Sequence, residues 1–181
     1  MKRFFISLVT LTTLAAAAPA YNGWGVYLAA WNTADLDDAV GPGLKISMEM
    51  VPDVQLELRT AYFDSLDGHQ QDLSILPLEA NLTLQYEVGT SMTGYGGVGL
   101  GYYLLDGGRK QAGATLDPQA DDEVGFYGLL GLEMPVKENA GLFAEVQYRF
   151  LEASDADAYG NQLDTLDLSG IGVNIGLMIN W

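Results

Sequence analysis

The sequence has 181 residues, a length that suits a single domain. It contains no cysteine, which excludes disulfides, thiolate metal sites and cysteine catalysis. The formal net charge of −16 at pH 7 disfavours nucleic acid as a partner. Although 49% of the residues are hydrophobic, no stretch after the N-terminal region approaches the roughly 18 apolar residues of a membrane-spanning helix.

The N-terminal region has the pattern of a signal peptide. The basic pair Lys2-Arg3 precedes an apolar stretch, and a small-x-small cleavage site ends at Ala20. We therefore expect residues 1–20 to be removed on export and residues 21–181 to form one domain. A short buried helix is the alternative interpretation of this segment.

Beyond the N-terminal region, apolar side chains alternate with small, polar or charged ones, which is the pattern of β-strands. One parity of each segment is apolar and uncharged, as in Leu44, Ile46 and Met48. Most segments have about the 9–11 residues that a tilted strand needs to cross a bilayer. The eight predicted strands cover residues 24–31, 42–51, 54–63, 75–87, 94–104, 123–134, 141–150 and 170–181.

Alternation alone does not show which parity faces outward, because a soluble barrel would bury the apolar one. Two features favour apolar side chains facing lipid. Aromatic residues of the apolar parity lie at both ends of the strands, for example Trp24 at one rim and Tyr148 at the other, as in the girdles of membrane barrels. The last predicted strand also carries an aromatic residue of this parity, Trp181.

The connections between the strands alternate in length. Those near 52–53, 88–93 and 135–140 are short, whereas those near 32–41, 64–74, 105–122 and 151–169 are longer. Membrane barrels have short periplasmic turns and longer extracellular loops. The sequence therefore predicts an all-β fold, a closed eight-stranded antiparallel up-and-down transmembrane β-barrel, with both termini on the periplasmic side.

The other parity would line a narrow lumen with charges of both signs. Lone buried charges are costly, so these groups must pair or meet water. The interior of an eight-stranded barrel is just wide enough for side chains to fill, which favours a structural ion-pair network over a gated polar pathway. The predicted network comprises Lys45, Glu49, Glu57, Arg59, Glu79, Glu133, Glu145 and Arg149.

Three segments resemble the small outer-membrane β-barrel superfamily that includes OmpA-type transmembrane domains, OmpX and opacity-type proteins. They are the glycine-rich YGGVGLGYY at 95–103, LPLEANL at 76–82 with its proline at the strand entry, and IGLMINW at 175–181. The third resembles the signal read by the barrel-assembly machinery, with Trp in place of the commoner Phe. Its outward residues, which would form the assembly signal, are Ile175, Leu177, Ile179 and Trp181.

This resemblance implies a bacterial outer-membrane protein that contacts membrane lipid and lipopolysaccharide and is inserted by the barrel-assembly machinery. Its function would be structural, protective or surface-interacting, with a polar, ion-paired lumen. A narrow channel for small or hydrophobic solutes, similar to OmpW-like proteins, is the alternative.

No catalytic, phosphate-binding or metal motif is present, so we expect no enzyme activity, no cofactor and no metal site. The sole histidine, His69, lies near Ser65, Asp67 and Asp72, which are residue types that lipid-modifying outer-membrane enzymes use. A nucleophile needs an oriented base, and proximity in a loop does not provide one. A lipid-modifying enzyme is therefore the third hypothesis, and a solvated loop histidine is favoured.

Acidic residues are concentrated in the four longer connections. They could bind divalent cations that bridge to lipopolysaccharide, because hard cations prefer oxygen ligands, or contact an extracellular partner. The order of a calcium loop is missing, which favours a solvated, repulsive surface. The residues concerned are Asp35, Asp37, Asp38, Asp64, Asp67, Asp72, Asp106, Asp117, Asp121, Asp122, Glu152, Asp155, Asp157, Asp164 and Asp167.

The signal-peptide prediction is tested by the mass of the exported protein. The chain is expressed in a Gram-negative host and recovered from its outer membrane. It should begin at Tyr21, because the small-x-small cleavage site ends at Ala20. Intact-mass spectrometry measures this directly. Recovery of folded protein that retains residues 1–20 would contradict the prediction.

Overall fold

The computed structural model describes residues 22–34, 38–68, 71–89, 91–109, 122–156 and 162–181. Within these ranges no helix is long and apolar enough to cross a membrane. The predicted signal peptide lies outside the described residues. The strands are β1 (Gly23–Thr33), β2 (Ala39–Val51), β3 (Val54–Ala61), β4 (Phe63–Gly68), β5 (Gln71–Val88), β6 (Met92–Arg109), β7 (Glu123–Lys137), β8 (Ala140–Phe150), β9 (Glu152–Ala156), β10 (Gln162–Asp167) and β11 (Gly170–Asn180).

The strands close into a ring of eight antiparallel neighbours. The order is β3-β2-β1-β11-β8-β7-β6-β5, and pairing of β3 with β5 completes the circle. The first and last barrel strands pair from Gly23 opposite Asn180 to Thr33 opposite Gly170. Strand β4 extends the line of β3 after a break at Tyr62 and pairs with β5. The predicted fold class is confirmed, and closure leaves the barrel wall without an open edge.

Three short turns lie at one end of the barrel, which we call the turn end; the opposite end is the loop end. Between β2 and β3, Asp53 has a φ of 67°, and after β5 Gly89 has the same value. This left-handed conformation is free for glycine and tolerated by aspartate. Residues 138–139 form the third turn, between β7 and β8.

At the loop end the strands are longer than predicted. Strands β5 and β6 have 18 residues each and pair along their whole length, so β5 begins at Gln71 rather than near residue 75. Strands β9 and β10 form a separate hairpin within the predicted connection 151–169. The alternation fails to mark these extensions because polar residues such as Asp64 and Asp106 replace apolar ones on the outer face at this end of the barrel.

The apolar parity faces outward. Leu82, Val146 and Ile175 are 52%, 54% and 60% exposed, whereas Glu57 and Arg149 are only 3% and 2% exposed. This distribution is the inverse of that in a soluble barrel and matches a membrane barrel.

Aromatic residues mark both rims of the apolar face. Trp24, Tyr86 and Trp181 are exposed towards the turn end. Towards the loop end the rings of Phe126 and Phe150 stack with their centroids 4.7 Å apart. The two aromatic rims bound the band expected to contact hydrocarbon, which we call the lipid band.

Inward tyrosines lie over glycines of the neighbouring strand, which lets large rings enter a narrow lumen. An added Cβ on Gly43 would be 2.2 Å from the Tyr27 ring, directly opposite it in the sheet. Such aromatic cover of a glycine also helps to fix strand register. The other cross-strand pairs of this kind are Tyr95 over Gly131 and Tyr127 over Gly99.

Substitution of Gly43 tests this packing. Gly43→Val should destabilise the barrel by about 1–3 kcal/mol, because the side chain would overlap the Tyr27 ring and force it out. Gly128→Val is the matched control, since the nearest atom to its added Cβ is 3.8 Å away. Urea unfolding in lipid vesicles measures both, and an equal effect of the two changes would contradict the proposed packing.

Candidate functional site

Four charged side chains meet in the middle of the lumen and form what we call the Glu145 cluster: Lys45, Glu57, Arg59 and Glu145. Lys45 Nζ lies 2.6 Å from Glu145 Oε1 and 3.0 Å from Glu57 Oε2. Arg59 Nη2 lies 2.9 Å from Glu145 Oε1 and also pairs with Glu57 Oε1. Two cations face two carboxylates, so the cluster is electrically neutral, and all four side chains are almost inaccessible to solvent.

Neutral polar groups add further hydrogen bonds to this cluster, and among its described polar atoms Arg59 Nε has no partner. The Tyr95 hydroxyl donates to Glu145 Oε1 at 2.8 Å, and Asn174 Nδ2 donates to Glu145 Oε2 at 3.0 Å. Arg59 Nη1 donates to Gln147 Oε1 at 3.0 Å. Buried ion pairs are tolerated only when their remaining hydrogen-bonding positions are largely filled, and Glu145 meets this condition.

A second neutral pair, the Glu79 pair, lies nearer the loop end. Arg149 Nε donates to Glu79 Oε1 at 2.8 Å, and the Tyr103 hydroxyl donates to the same oxygen at 3.0 Å. The guanidinium carbon of Arg149 lies 4.5 Å from the Trp31 ring centroid, which adds a cation–π contact.

Above the Glu79 pair, the lumen is filled by buried apolar side chains, which we call the apolar cap. The Trp31 ring packs edge-on against Phe63 with centroids 5.5 Å apart. Trp31 also lies 6.0 Å from the Tyr103 ring. The cap consists of Trp31, Phe63, Ile75, Leu105, Leu151 and Leu168.

The apolar cap was not among the predicted luminal residues. Its members share the inward parity but lie at or beyond the loop-end limits of the predicted strands. The inward positions of β1 run from Tyr27 through Ala29 to Trp31, and those of β3 continue into β4 at Phe63. Following the inward parity to these strand ends would have pointed to the cap.

At the turn end the lumen opens into a polar cavity of about 340 Å³, which we call the mouth. Lys45, Glu57 and Tyr95 form part of its lining, so water reaches the edge of the Glu145 cluster from this side. The predicted network members Glu49 and Glu133 are only half-buried. Glu133 lines the mouth and accepts a hydrogen bond from Asn180, so it lies apart from the buried clusters.

The remaining predicted site residues are only partly within the described ranges. His69 lies outside them, as do Asp35, Asp37, Asp117, Asp121 and Asp157. No group of acidic or histidine side chains suited to a metal ion occurs among the residues that were described. Hydrogen bonds from Ser169 hold the pKa of Asp167 below its ordinary value. The predicted assembly-signal residues Ile175, Leu177, Ile179 and Trp181 lie on the outer side of β11 or just after it, none of them buried.

The charge balance of the Glu145 cluster leads to a stability prediction. Glu145→Gln keeps the size of the side chain but leaves Lys45 and Arg59 with one carboxylate, so we expect a loss of about 3–5 kcal/mol in the free energy of unfolding. Adding Lys45→Met restores neutrality and should recover most of this loss. Urea unfolding in vesicles compares both variants with the unaltered chain.

Glu152→Gln is the control, because Glu152 is exposed and its neutralisation should change stability by no more than about 0.5 kcal/mol. If Glu145→Gln were as mild as this control, the cluster would not be the buried, desolvated unit described above.

No protein-family model matches the sequence, and no curated protein matches it. Solved structures do match the fold. The outer membrane protein OprG from Pseudomonas aeruginosa has a TM-score of 0.72 at 18% identity, with 91% of this chain and 98% of that one covered. Neisserial surface protein A has a TM-score of 0.65 at 15% identity, with 89% and 96% covered. The outer membrane protein AlkL, solved in lipid bilayers, has a TM-score of 0.58 at 12% identity, with 92% and 93% covered.

These likenesses extend over nearly the whole of each chain and agree with the apolar exterior, aromatic rims and short turns described above. The chain therefore shares the closed eight-stranded barrel fold of these outer-membrane proteins.

Proposed function

We propose that this chain is a non-enzymatic protein of the bacterial outer membrane with a structural, protective or surface-interaction role. Its turn end faces the periplasm and its loop end faces the exterior, as in other membrane barrels. The apolar face between two aromatic rims supports insertion in a membrane, and the relatives in fold are outer-membrane proteins.

The observation that carries the proposal is the filled lumen. Lys45, Glu79 and Trp31, which lie at three successive levels of the lumen, are each no more than 4% exposed. A conducting pore would leave its luminal side chains in contact with water, whereas here ion pairs and the apolar cap occupy the cross-section. A filled barrel stabilises its own fold and presents a surface, and it offers no continuous aqueous path through the described lumen.

The loop end supplies the surface. Strands β5 and β6 continue to Gln71 and Arg109, well past the aromatic rim. Exposed acidic residues at this end include Asp64, Asp106 and Glu152. An acidic surface would attract a basic patch on an extracellular partner, or divalent cations shared with lipopolysaccharide phosphates, and it would repel nucleic acid and other polyanions.

A narrow path for small apolar solutes is the second candidate, and the apolar cap favours it. Trp31, Phe63 and Leu105 would receive an uncharged solute entering from the loop end. Onward passage would require separation of the Glu79 pair and the Glu145 cluster, both of which are closed in this structure.

Conductance measurements distinguish a filled barrel from a channel. We expect the purified full chain in planar bilayers to show no conductance steps, because side chains fill the lumen. Reproducible steps that change in size with Arg59→Ala would show an open path through the Glu145 cluster and would overturn the proposal.

Trp31 fluorescence tests the second candidate. The sequence has three tryptophans, so Trp24→Phe with Trp181→Phe leaves Trp31 as the only emitter. If the side chains of the cap leave no room for a solute, a small brominated alkane should cause no saturable quenching of the Trp31 emission. Saturable quenching that is lost on Phe63→Asp would instead favour uptake of apolar solutes.

A further inference from the structure

Two buried side chains of the lumen each carry a nitrogen that donates to nothing in the described part of the chain. These nitrogens are Gln147 Nε2 and Arg149 Nη1. The two residues are only 1% and 2% exposed, so bulk water does not reach them. A buried donor without an acceptor lowers the stability of the fold, so this pair requires a physical explanation.

The directions of both donors are fixed by the other ends of their side chains. Gln147 Oε1 accepts from Arg59 Nη1 at 3.0 Å and from Asn174 Nδ2 at 3.3 Å. Exchanging the two ends of the amide would set its NH2 group against the Arg59 guanidinium, which can only donate. Arg149 uses Nε and Nη2 to bind Glu79, so Nη1 points away from that carboxylate.

The two nitrogens lie close together beside Gly172 on β11. A Cβ added to Gly172 would be 2.7 Å from Arg149 Nη1 and 3.2 Å from Gln147 Nε2. Gly172 is buried and lies directly opposite Gln147 in the sheet. Because both nitrogens are so near to one point, a single small molecule can accept a hydrogen bond from each of them.

A buried acceptor on the same strand also lacks a partner. Asn174 lies two residues from Gly172, faces the lumen with it and is 1% exposed, and its Oδ1 accepts no hydrogen bond among the described residues. This amide cannot be reversed either, because its Nδ2 donates to Glu145 Oε2 at 3.0 Å. The described lumen therefore presents two donors and one acceptor around Gly172.

Two donors and one acceptor match the hydrogen bonding of a water molecule. A buried water typically makes about three hydrogen bonds to groups that would otherwise have none. A halide could accept from Gln147 and Arg149, but Asn174 Oδ1 would repel it. A halide would also add a charge where Arg149 is already balanced by Glu79 and the Glu145 cluster is neutral.

We propose that the lumen contains a water-binding site between the Glu145 cluster and the Glu79 pair. The water accepts from Gln147 Nε2 and Arg149 Nη1 and donates to Asn174 Oδ1. Gln147 is bound to Arg59 of the cluster, and Arg149 is bound to Glu79. The water thus joins the two charged groups into one hydrogen-bonded network, whatever role the outer surface has.

Crystallography of the full chain tests the site. The electron density should show one water oxygen within hydrogen-bonding distance of Gln147 Nε2 and Arg149 Nη1. A second crystal is soaked in sodium bromide, because bromide scatters anomalously and water does not. Water density without a bromide peak would support the site. A bromide peak at this position, or both nitrogens bonded to protein acceptors with no solvent between them, would overturn it.

Nuclear magnetic resonance in nanodiscs provides a second readout. The side-chain amide protons of Gln147, identified by the loss of their signal in Gln147→Glu, should show a cross-relaxation peak with water. Gly172→Ala places a methyl group against both donors and should reduce this peak several-fold. Gly128→Ala is the matched control, since the nearest atom to its added Cβ is 3.8 Å away, and it should leave the peak unchanged.

Arg149→Lys is a second test, because it removes Nη1 and keeps the positive charge beside Glu79. It should also reduce the water peak of Gln147 several-fold. Each variant is first shown to be folded by the change in its electrophoretic migration on boiling. An undiminished peak in folded Gly172→Ala and Arg149→Lys, or no peak in the unaltered chain, would contradict the inference.

Discussion

Hydrocarbon cannot accept or donate hydrogen bonds, so a chain that crosses it must satisfy its own backbone, and this constraint shapes the whole molecule. Pairing of β1 with β11 satisfies both edges at once and closes the sheet. Closure then gives the two parities of every strand opposite environments. The uncharged parity meets lipid, and the charged parity is confined to a lumen too narrow for isolated charges.

The lumen has to be electrically neutral because bulk water does not solvate its buried charges, so each one needs an opposite charge beside it. Lys45 and Arg59 face Glu57 and Glu145, and Arg149 faces Glu79, so each buried group balances separately. Two inward tyrosines donate their hydroxyls to these carboxylates: Tyr95, which lies over Gly131, to Glu145, and Tyr103 to Glu79. The apolar cap completes the filling towards the loop end. A barrel filled in this way is suited to stability and to presenting a surface, which is why the proposed function concerns the exterior.

Alternation predicted the strands and the turns, because lipid on one side imposes the period of two, and the aromatic residues at the strand ends predicted the outward face. It could not predict ion-pair partners, since Lys45 and Glu145 are separated by 100 residues and meet only through barrel closure. The apolar cap was missed because Trp31 and Phe63 break the polar pattern of the inward parity. The loop-end extensions were missed because outer positions such as Asp106 are polar where lipid no longer covers them.

The central claim is that lipid covers the uncharged face, and fluorescence quenching tests it directly. The sequence has no cysteine, so single cysteines at positions 82 and 146 accept an environment-sensitive fluorophore at sites where Leu82 and Val146 now point outward. In vesicles, lipids brominated on their acyl chains should quench both labels strongly, and aqueous iodide should have little effect. Strong quenching by iodide with none by brominated lipid would contradict the account.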